Sequence, residues 1–172
     1  NLDWGFNKHP PMSAFFVEIF YQIFGSMDWA YYLLSQIFVL ISFYYVFKFA
    51  NEILKNAKLS LVSVLLLESI YFYNFTTPEF NVNISQLPFW TLTVYFTWKI
   101  FKKKQPHVFD LILLGFFAAA GILSKYLFLY LLISIDLLFI YLILVVKDRK
   151  FEITYLISLE VFLLLLIPHL VW

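Results

Sequence analysis

Six long, mostly apolar runs separated by short polar stretches dominate this 172-residue chain. A helix that crosses the hydrocarbon of a membrane needs about 20 mostly apolar residues, with a range of roughly 17–25. The runs cover residues 29–47, 59–75, 84–101, 108–123, 127–146 and 151–170. Because backbone groups cannot stay unpaired in lipid, we expect these runs to be helices. The predicted fold class is all-α, a polytopic integral membrane helical bundle with about six transmembrane helices.

Composition excludes a soluble domain. Hydrophobic residues make up 63% of the chain and charged residues 13%, whereas soluble domains average roughly 45–50% and about 25%. The chain has no cysteine, which excludes disulfides and thiolate chemistry. The basic residues mark loops rather than a patch, so we expect a lipid bilayer and no nucleic acid as partner.

The basic residues predict the orientation. Ten of the twelve lie in three clusters: Lys48, Lys55, Lys58; Lys99, Lys102, Lys103, Lys104; and Lys147, Arg149, Lys150. Short Lys/Arg-rich loops stay on the cytoplasmic side. We call the helix ends beside these clusters the inner ends and the opposite ends the outer ends. The prediction is a multi-pass protein of a bacterial inner membrane whose outer ends face the periplasm.

Residues 10–24 predict a further helix, lying along the outer interface. Pro10 and Pro11 suit a helix start, where a missing N–H costs nothing. The run is short for a span, and a re-entrant or buried helix is the alternative. We expect residues 1–172 to form one transmembrane domain and to be a fragment of a longer chain.

Four polar motifs fall on the predicted outer side. The first contains Asp3, Lys8 and His9 before a helix start, which suits an anion such as phosphate, and His9 is also a candidate metal ligand. The alternative is a solvated interfacial loop. The other motifs supply the candidate residues Glu79 and Asn81, Lys125, and His169.

Each of these later motifs also has a plainer interpretation. Glu79 near a helix start suits the helix dipole. Lys125 is either a snorkelling side chain or the partner of an anion outside the bilayer. His169 is either an interfacial residue or a site residue, and Pro168 beside it breaks or kinks the last span. Three intramembrane carboxylates on three different runs have no basic partner at the same depth: Glu68, Asp136 and Glu160.

The order of the motifs resembles a known family. Residues 2–5 read Leu-Asp-Trp-Gly, 9–11 His-Pro-Pro, 77–79 Thr-Pro-Glu, 124–126 Ser-Lys-Tyr, and 168–172 Pro-His-Leu-Val-Trp. This order is similar to that of the dolichyl-phosphate-mannose protein mannosyltransferase-like membrane glycosyltransferases, whose superfamily includes the aminoarabinose transferases of lipid A. The resemblance implies the C-type glycosyltransferase fold along the whole chain.

The resemblance also implies a function. It predicts transfer of a sugar from a polyprenyl-phosphate donor to a lipid, glycolipid or protein acceptor at the periplasmic face. Lys8, His9 and Lys125 carry over as donor phosphate contacts, and a divalent metal ion at His9 is a further expectation. The family's catalytic acid is expected before Asn1, and Asp3 matches a later Asp of the motif.

Two other classes of function stay open. One is a flippase or transporter of polyprenyl lipids, which often shows repeated halves and broken helices near the midplane. No repeat relates residues 1–86 to 87–172, and the polar motifs gather at one interface, which favours an enzyme. The other is a non-catalytic scaffold related to the family.

Overall fold

The computed structural model describes residues 9–103, 106–147 and 151–171. These residues form helices and no strand, which confirms the all-α fold class. The helices are α1 Met12–Phe24, α2 Asp28–Leu54, α3 Ala57–Glu68, α4 Tyr71–Asn74, α5 Val82–Lys102, α6 Val108–Ser124, α7 Leu129–Tyr141 and α8 Leu156–Val171. A 3-10 turn, Tyr126–Phe128, leads into α7, and a π-helical turn, Leu142–Val146, ends it. Another 3-10 turn, Ile153–Tyr155, leads into α8.

The helices pack in the order α3, α2, α5, α6, α8, and α1 contacts α2, α5 and α6. Three apolar segments are long enough to cross a membrane: α2, Tyr126–Val146 and Ile153–Val171. α5 lies at the centre of the bundle, and more of its residues are buried than in any other described helix. Its surroundings are protein, so it carries polar residues that a lipid-facing helix would exclude.

The predicted second span, residues 59–75, is divided between two helices. α3 has 12 residues and ends at Glu68, so it is about 18 Å long. The Ser69 hydroxyl donates to the Leu66 carbonyl at 2.7 Å, and Ile70 has extended backbone angles before α4 begins. Ser63 makes the same kind of hydrogen bond inside α3 without interrupting it, so the Ser69 bond marks the position of the break rather than causing it.

Small residues on α6 allow close packing against its neighbours. A Cβ added to Gly115 would lie 2.3 Å from the Ser158 carbonyl oxygen of α8, and one added to Gly121 would lie 2.4 Å from the Phe128 ring. Both distances are far below contact range. The small face of α6 therefore lets α8 and the turn into α7 approach its backbone closely.

α1 begins directly after Pro11, as the paired prolines predict. Its Phe16 ring packs edge-on against Phe38 of α2, with the centroids 4.8 Å apart. The Gln22 amide donates to the Glu18 carboxylate at 2.6 Å on its exposed side. At the other end of the chain, α8 continues through Pro168 to Val171, although proline removes one helical N–H there.

Candidate functional site at the outer ends of α5 and α6

Two buried serines join the start of α5 to the end of α6. The Ser85 hydroxyl donates to the Ser124 hydroxyl at 3.0 Å, and Ser124 donates to the Ala120 carbonyl at 2.8 Å. Both side chains are fully buried, so their hydrogen bonds do not compete with water. This contact fixes the residue after Ser124, which is Lys125, beside the first turn of α5.

Lys125 is held by an amide rather than by an acid. Its ammonium donates a short hydrogen bond to the Asn83 side-chain oxygen in the first turn of α5. Within the described part of the chain no carboxylate lies within 4.0 Å of this ammonium. The side chain is half-buried. The Lys125 ammonium is therefore held in place at the outer rim without a described carboxylate beside it.

A second polar contact lies beside Lys125. The next residue, Tyr126, is 2.9 Å from Nε2 of His169 through its hydroxyl, and the two rings lie 5.9 Å apart. This contact ties the turn between α6 and α7 to the end of α8. The structure thus brings Lys125 and His169 to the same end of neighbouring elements, as the sequence predicts for their motifs.

The loop between α4 and α5 is anchored through its backbone to α2. The Ser35 hydroxyl donates to the Thr77 carbonyl at 2.5 Å, and the Tyr31 hydroxyl donates to the Phe80 carbonyl. Glu79 lies between these anchor points with an exposed side chain. The carboxylate therefore projects from a fixed loop into the outer surroundings.

Asn81 is the N-cap residue of α5. Its side-chain oxygen accepts from the backbone N–H of Asn83 at 2.8 Å and of Ile84 at 3.3 Å, and so caps α5. Its amide donates to the Glu79 carbonyl at 3.1 Å. Asn81 thus positions the residues on either side of it, and its role as a site residue stays a prediction.

The first motif lies mostly outside the described residues. Asp3 and Lys8 fall there, and the structure tests neither. His9 is described and exposed. In residues 9–103, 106–147 and 151–171 no three His, Cys, Asp or Glu side chains group as metal ligands do. His9 as a metal ligand or phosphate contact stays a prediction.

A cavity opens next to the anchored loop, between α1 and α2. Its volume is about 320 Å³, and its lining includes Phe20, Met27, Asp28 and Tyr31. This volume falls at the lower end of the roughly 300–1,000 Å³ range of small-molecule sites. The outer rim therefore combines a fixed cation, exposed carboxylates and space for a small ligand.

The residue that sequence reasoning missed at this site is Asn83. It lies two residues after Asn81, and the sequence-based prediction named Asn81 rather than Asn83. Only the packing of α5 against α6 distinguishes them, because it brings Asn83 to Lys125 and leaves Asn81 as the cap.

Comparison with known proteins agrees with the motif order. The family model described as dolichyl-phosphate-mannose-protein mannosyltransferase matches residues 8–172. Neither the curated proteins nor the solved structures contain a match. The match spans nearly all of the sequence, including the loop of Glu79, the turn of Lys125 and the end of α8. The chain therefore belongs to the dolichyl-phosphate-mannose-protein mannosyltransferase family.

Proposed function

We propose that this chain transfers a sugar from a polyprenyl-phosphate donor to an acceptor at the periplasmic face, and that Lys125 binds the donor phosphate. Family membership gives the coarser statement, a membrane glycosyltransferase of the polyprenyl-phosphate-sugar type. The finer statement is supported chiefly by one observation: the Lys125 ammonium, held by a neutral amide, has no carboxylate partner among the described residues.

The environment of Lys125 suits a phosphate on a lipid. The Asn83 side-chain oxygen accepts a hydrogen bond from one of the three ammonium N–H groups, so two N–H groups remain for an anion. The residue follows the last turn of α6, whose carbonyl end favours a cation. A donor carried by a long lipid has its phosphate at the membrane interface, which is the level the sequence predicts for Lys125.

The chemistry of the transfer explains why a cation is needed. The bond between the sugar's anomeric carbon and the phosphate oxygen breaks, and both bonding electrons leave with the polyprenyl phosphate. An ammonium already placed at that oxygen stabilises the growing charge more in the transition state than in the ground state. The acceptor hydroxyl bonds to the anomeric carbon and gives its proton to a carboxylate base.

The other residues of the site have supporting roles in this proposal. Glu79 and the cavity beside Tyr31 offer hydrogen-bond acceptors and space to the sugar or acceptor. His169 contacts the Tyr126 hydroxyl, one residue after Lys125. No described residue is assigned the role of the base in this proposal.

The test is Lys125→Ala in the complete protein, assayed by release of free polyprenyl phosphate from a polyprenyl-phosphate sugar. A transferase releases this product and a flippase does not. We expect a loss of about 100-fold or more in rate, because removal of one preorganised charge stabiliser has effects of about 10²–10³. Lys125→Arg should retain more activity than Lys125→Ala.

Lys58→Ala is the matched control. Lys58 is exposed at the inner end, so its removal deletes the same charge on the opposite side. It should leave the rate unchanged. Equal activity of the two alanine variants, at equal membrane levels, would remove Lys125 from the site. Failure of the wild-type protein to release polyprenyl phosphate would reject the transferase itself.

A further inference from the structure

One lysine of the inner end, Lys48, lies within α2 rather than in a turn. The residues of α2 that precede it, 28–47, span about 30 Å, which is about the thickness of the hydrocarbon core. Its side chain is half-buried, and its ammonium lies 5.2 Å from the centre of the Tyr95 ring of α5 and 5.6 Å from that of Tyr45. Lys48 is thus held at the inner boundary of the hydrocarbon, beside α5.

The Lys48 ammonium is not neutralised by an acid of the described residues. Glu52 lies one turn further along α2, but its carboxylate accepts from the Tyr95 hydroxyl at 2.7 Å and lies 3.9 Å from the Lys102 ammonium. The ion pairs of the described chain do not include Lys48. A positive charge at this depth, without a carboxylate in range, is suited to an anion carried by a lipid.

A second lysine, Lys55, ends α2 on the same face, since it follows Lys48 by seven residues or about two turns. Its φ of 51° is in the left-handed region, which glycine or asparagine adopts at less cost. Lys147, with a φ of 56°, is the other described non-glycine residue with a positive φ, and it also ends a helix at the inner end. The last turn of α2 itself contains no basic residue, although a lysine there would suit the helix dipole without this backbone cost.

The surface beside the two lysines is apolar on its membrane side. Tyr44 and Leu40 lie one and two turns before Lys48 on the same face of α2, and their exposed fractions are 58% and 63%. A soluble anion gains nothing from such a surface, whereas the acyl chain of a phospholipid packs against it. The face thus combines cations at headgroup depth with exposed apolar residues toward the middle of the membrane.

We propose that this face of α2 binds an anionic phospholipid, whose phosphate contacts Lys48 and Lys55 at the inner end. The two lysines are about 10 Å apart along the helix axis, so one headgroup can lie between them. Charge complementarity favours an anionic lipid over a zwitterionic one, as it does for other basic sites between helices on the cytoplasmic side. This site lies at the opposite end of the bundle from Lys125 and does not depend on sugar transfer.

The test is the affinity of the full-length protein, in a neutral detergent, for phosphatidylglycerol, measured by native mass spectrometry. We expect the wild-type protein to bind it at least about tenfold more tightly than phosphatidylcholine. Lys48→Ala and Lys55→Gly should each weaken this binding about tenfold, or about 1.4 kcal/mol, as expected for loss of one hydrogen bond to a charged group. Lys58→Ala, the matched control, removes an exposed charge three residues after Lys55 and should change the affinity less than about twofold in salt, because a charge without contact is screened.

Lys55→Gly also separates lipid binding from folding. Glycine adopts the left-handed conformation without strain from a Cβ, so this variant should unfold at no lower temperature than the wild-type protein in phosphatidylcholine. Equal affinity of the wild-type protein for the two lipids would overturn the proposal. So would a loss in Lys58→Ala as large as in Lys48→Ala, which would indicate bulk charge. Displacement of phosphatidylglycerol by an equal concentration of inorganic phosphate would assign the lysines to a soluble anion instead.

Discussion

Lysines at the two ends of the helical bundle have different partners: carboxylates for Lys99 and Lys103 at the inner end, and an amide for Lys125 at the outer end. At the inner end, Lys99 donates to Asp110 at 2.6 Å, and Lys103 lies 3.6 Å from the other oxygen of the same carboxylate. At the outer end, Lys125 is bound by the Asn83 amide, with no described carboxylate in range. The same side chain thus neutralises a buried charge at one end and presents its own charge at the other.

The paired lysines of the inner end stabilise the helix packing, whereas Lys125 at the outer end remains available for a ligand. The Asp110 side chain is only 3% exposed, and its lysines join α5 to α6 at the inner end. The Glu52 carboxylate on α2 accepts from the Tyr95 hydroxyl at 2.7 Å and lies 3.9 Å from Lys102. These contacts tie three helices together. An ion pair already formed inside the protein has little charge left for a ligand, whereas the Lys125 ammonium has no described carboxylate within 4.0 Å.

The largest expected effect comes from making the outer end resemble the inner end. Asn83→Asp keeps the shape of the side chain and gives Lys125 a carboxylate partner, which competes with the donor phosphate. We expect the rate of sugar transfer at low donor concentration to fall about 100-fold, as for loss of the cation. Steady-state kinetics should show this mainly as a raised KM for the donor.

Asn81→Asp is the control for that change. It adds the same charge two residues away, and aspartate caps a helix as well as asparagine does. Its side chain remains on the backbone N–H groups of α5, so Lys125 stays available. A loss of activity in Asn81→Asp as large as in Asn83→Asp would show that loop charge, rather than pairing of Lys125, matters.

The next effect concerns the inner end. Asp110→Asn removes the charge that Lys99 and Lys103 share, and we expect about 2 kcal/mol of destabilisation. The value is below that for a fully buried pair because Lys99 is 32% exposed and can reach water. Unfolding in detergent, followed by circular dichroism, measures it. Glu152→Gln, at a half-buried acid near the same end, should cost much less.

A smaller effect compares two helix caps. Asn56 caps α3 at the inner end and Asn81 caps α5 at the outer end, each by accepting two backbone N–H bonds. Asn56→Ala and Asn81→Ala should each lower stability by about 1 kcal/mol. Only Asn81→Ala should also lower activity, because α5 positions Asn83. If the two folded variants were equally active, the Asn81 cap would not be needed to position Asn83.

The smallest effect is expected for Lys102→Ala. The Lys102 ammonium is 3.9 Å from Glu52 and lies over the Trp98 ring at 4.6 Å, with the side chain 56% exposed. Exposed ion pairs and cation–π contacts contribute little, so the loss of stability should stay below about 1 kcal/mol. A loss as large as that of Asp110→Asn would contradict the ranking of buried over exposed pairs.

Several elements of the fold could be predicted from hydropathy alone. The runs at residues 29–47, 127–146 and 151–170 correspond to the long apolar helices. The small residues of α6 can be read from the sequence, and the structure uses them for the close approach of Gly115 to Ser158. The break after Glu68 could not be predicted in this way, because the apolar run of residues 59–75 continues through it, from the end of α3 at Glu68 to the start of α4 at Tyr71.

The candidate site was predictable in part. The spacing of apolar runs placed Lys125, Glu79 and His169 at one end of the bundle, since each lies beside a turn on the same side. Which side chains touch was not predictable. Asn83 rather than Asn81 meets Lys125, and Tyr126 meets His169 rather than the lysine beside it in the sequence. The burial of Asp110 and its ion pair with Lys99 were likewise not predicted, because an acid at a helix start already suits the helix dipole.

The sequence by itself determined the class of protein, the apolar helices and the family, because hydropathy, charge clusters and motif order are read along the chain. Tertiary structure alone decided that Lys99 and Lys103 share the Asp110 carboxylate and that Lys125 is held by the Asn83 amide. That choice depends on which helix ends meet across the bundle, and helix packing brings together residues about 40 positions apart, such as Asn83 and Lys125. A side chain's partners, rather than its type, determine whether it stabilises the fold or remains available for a ligand.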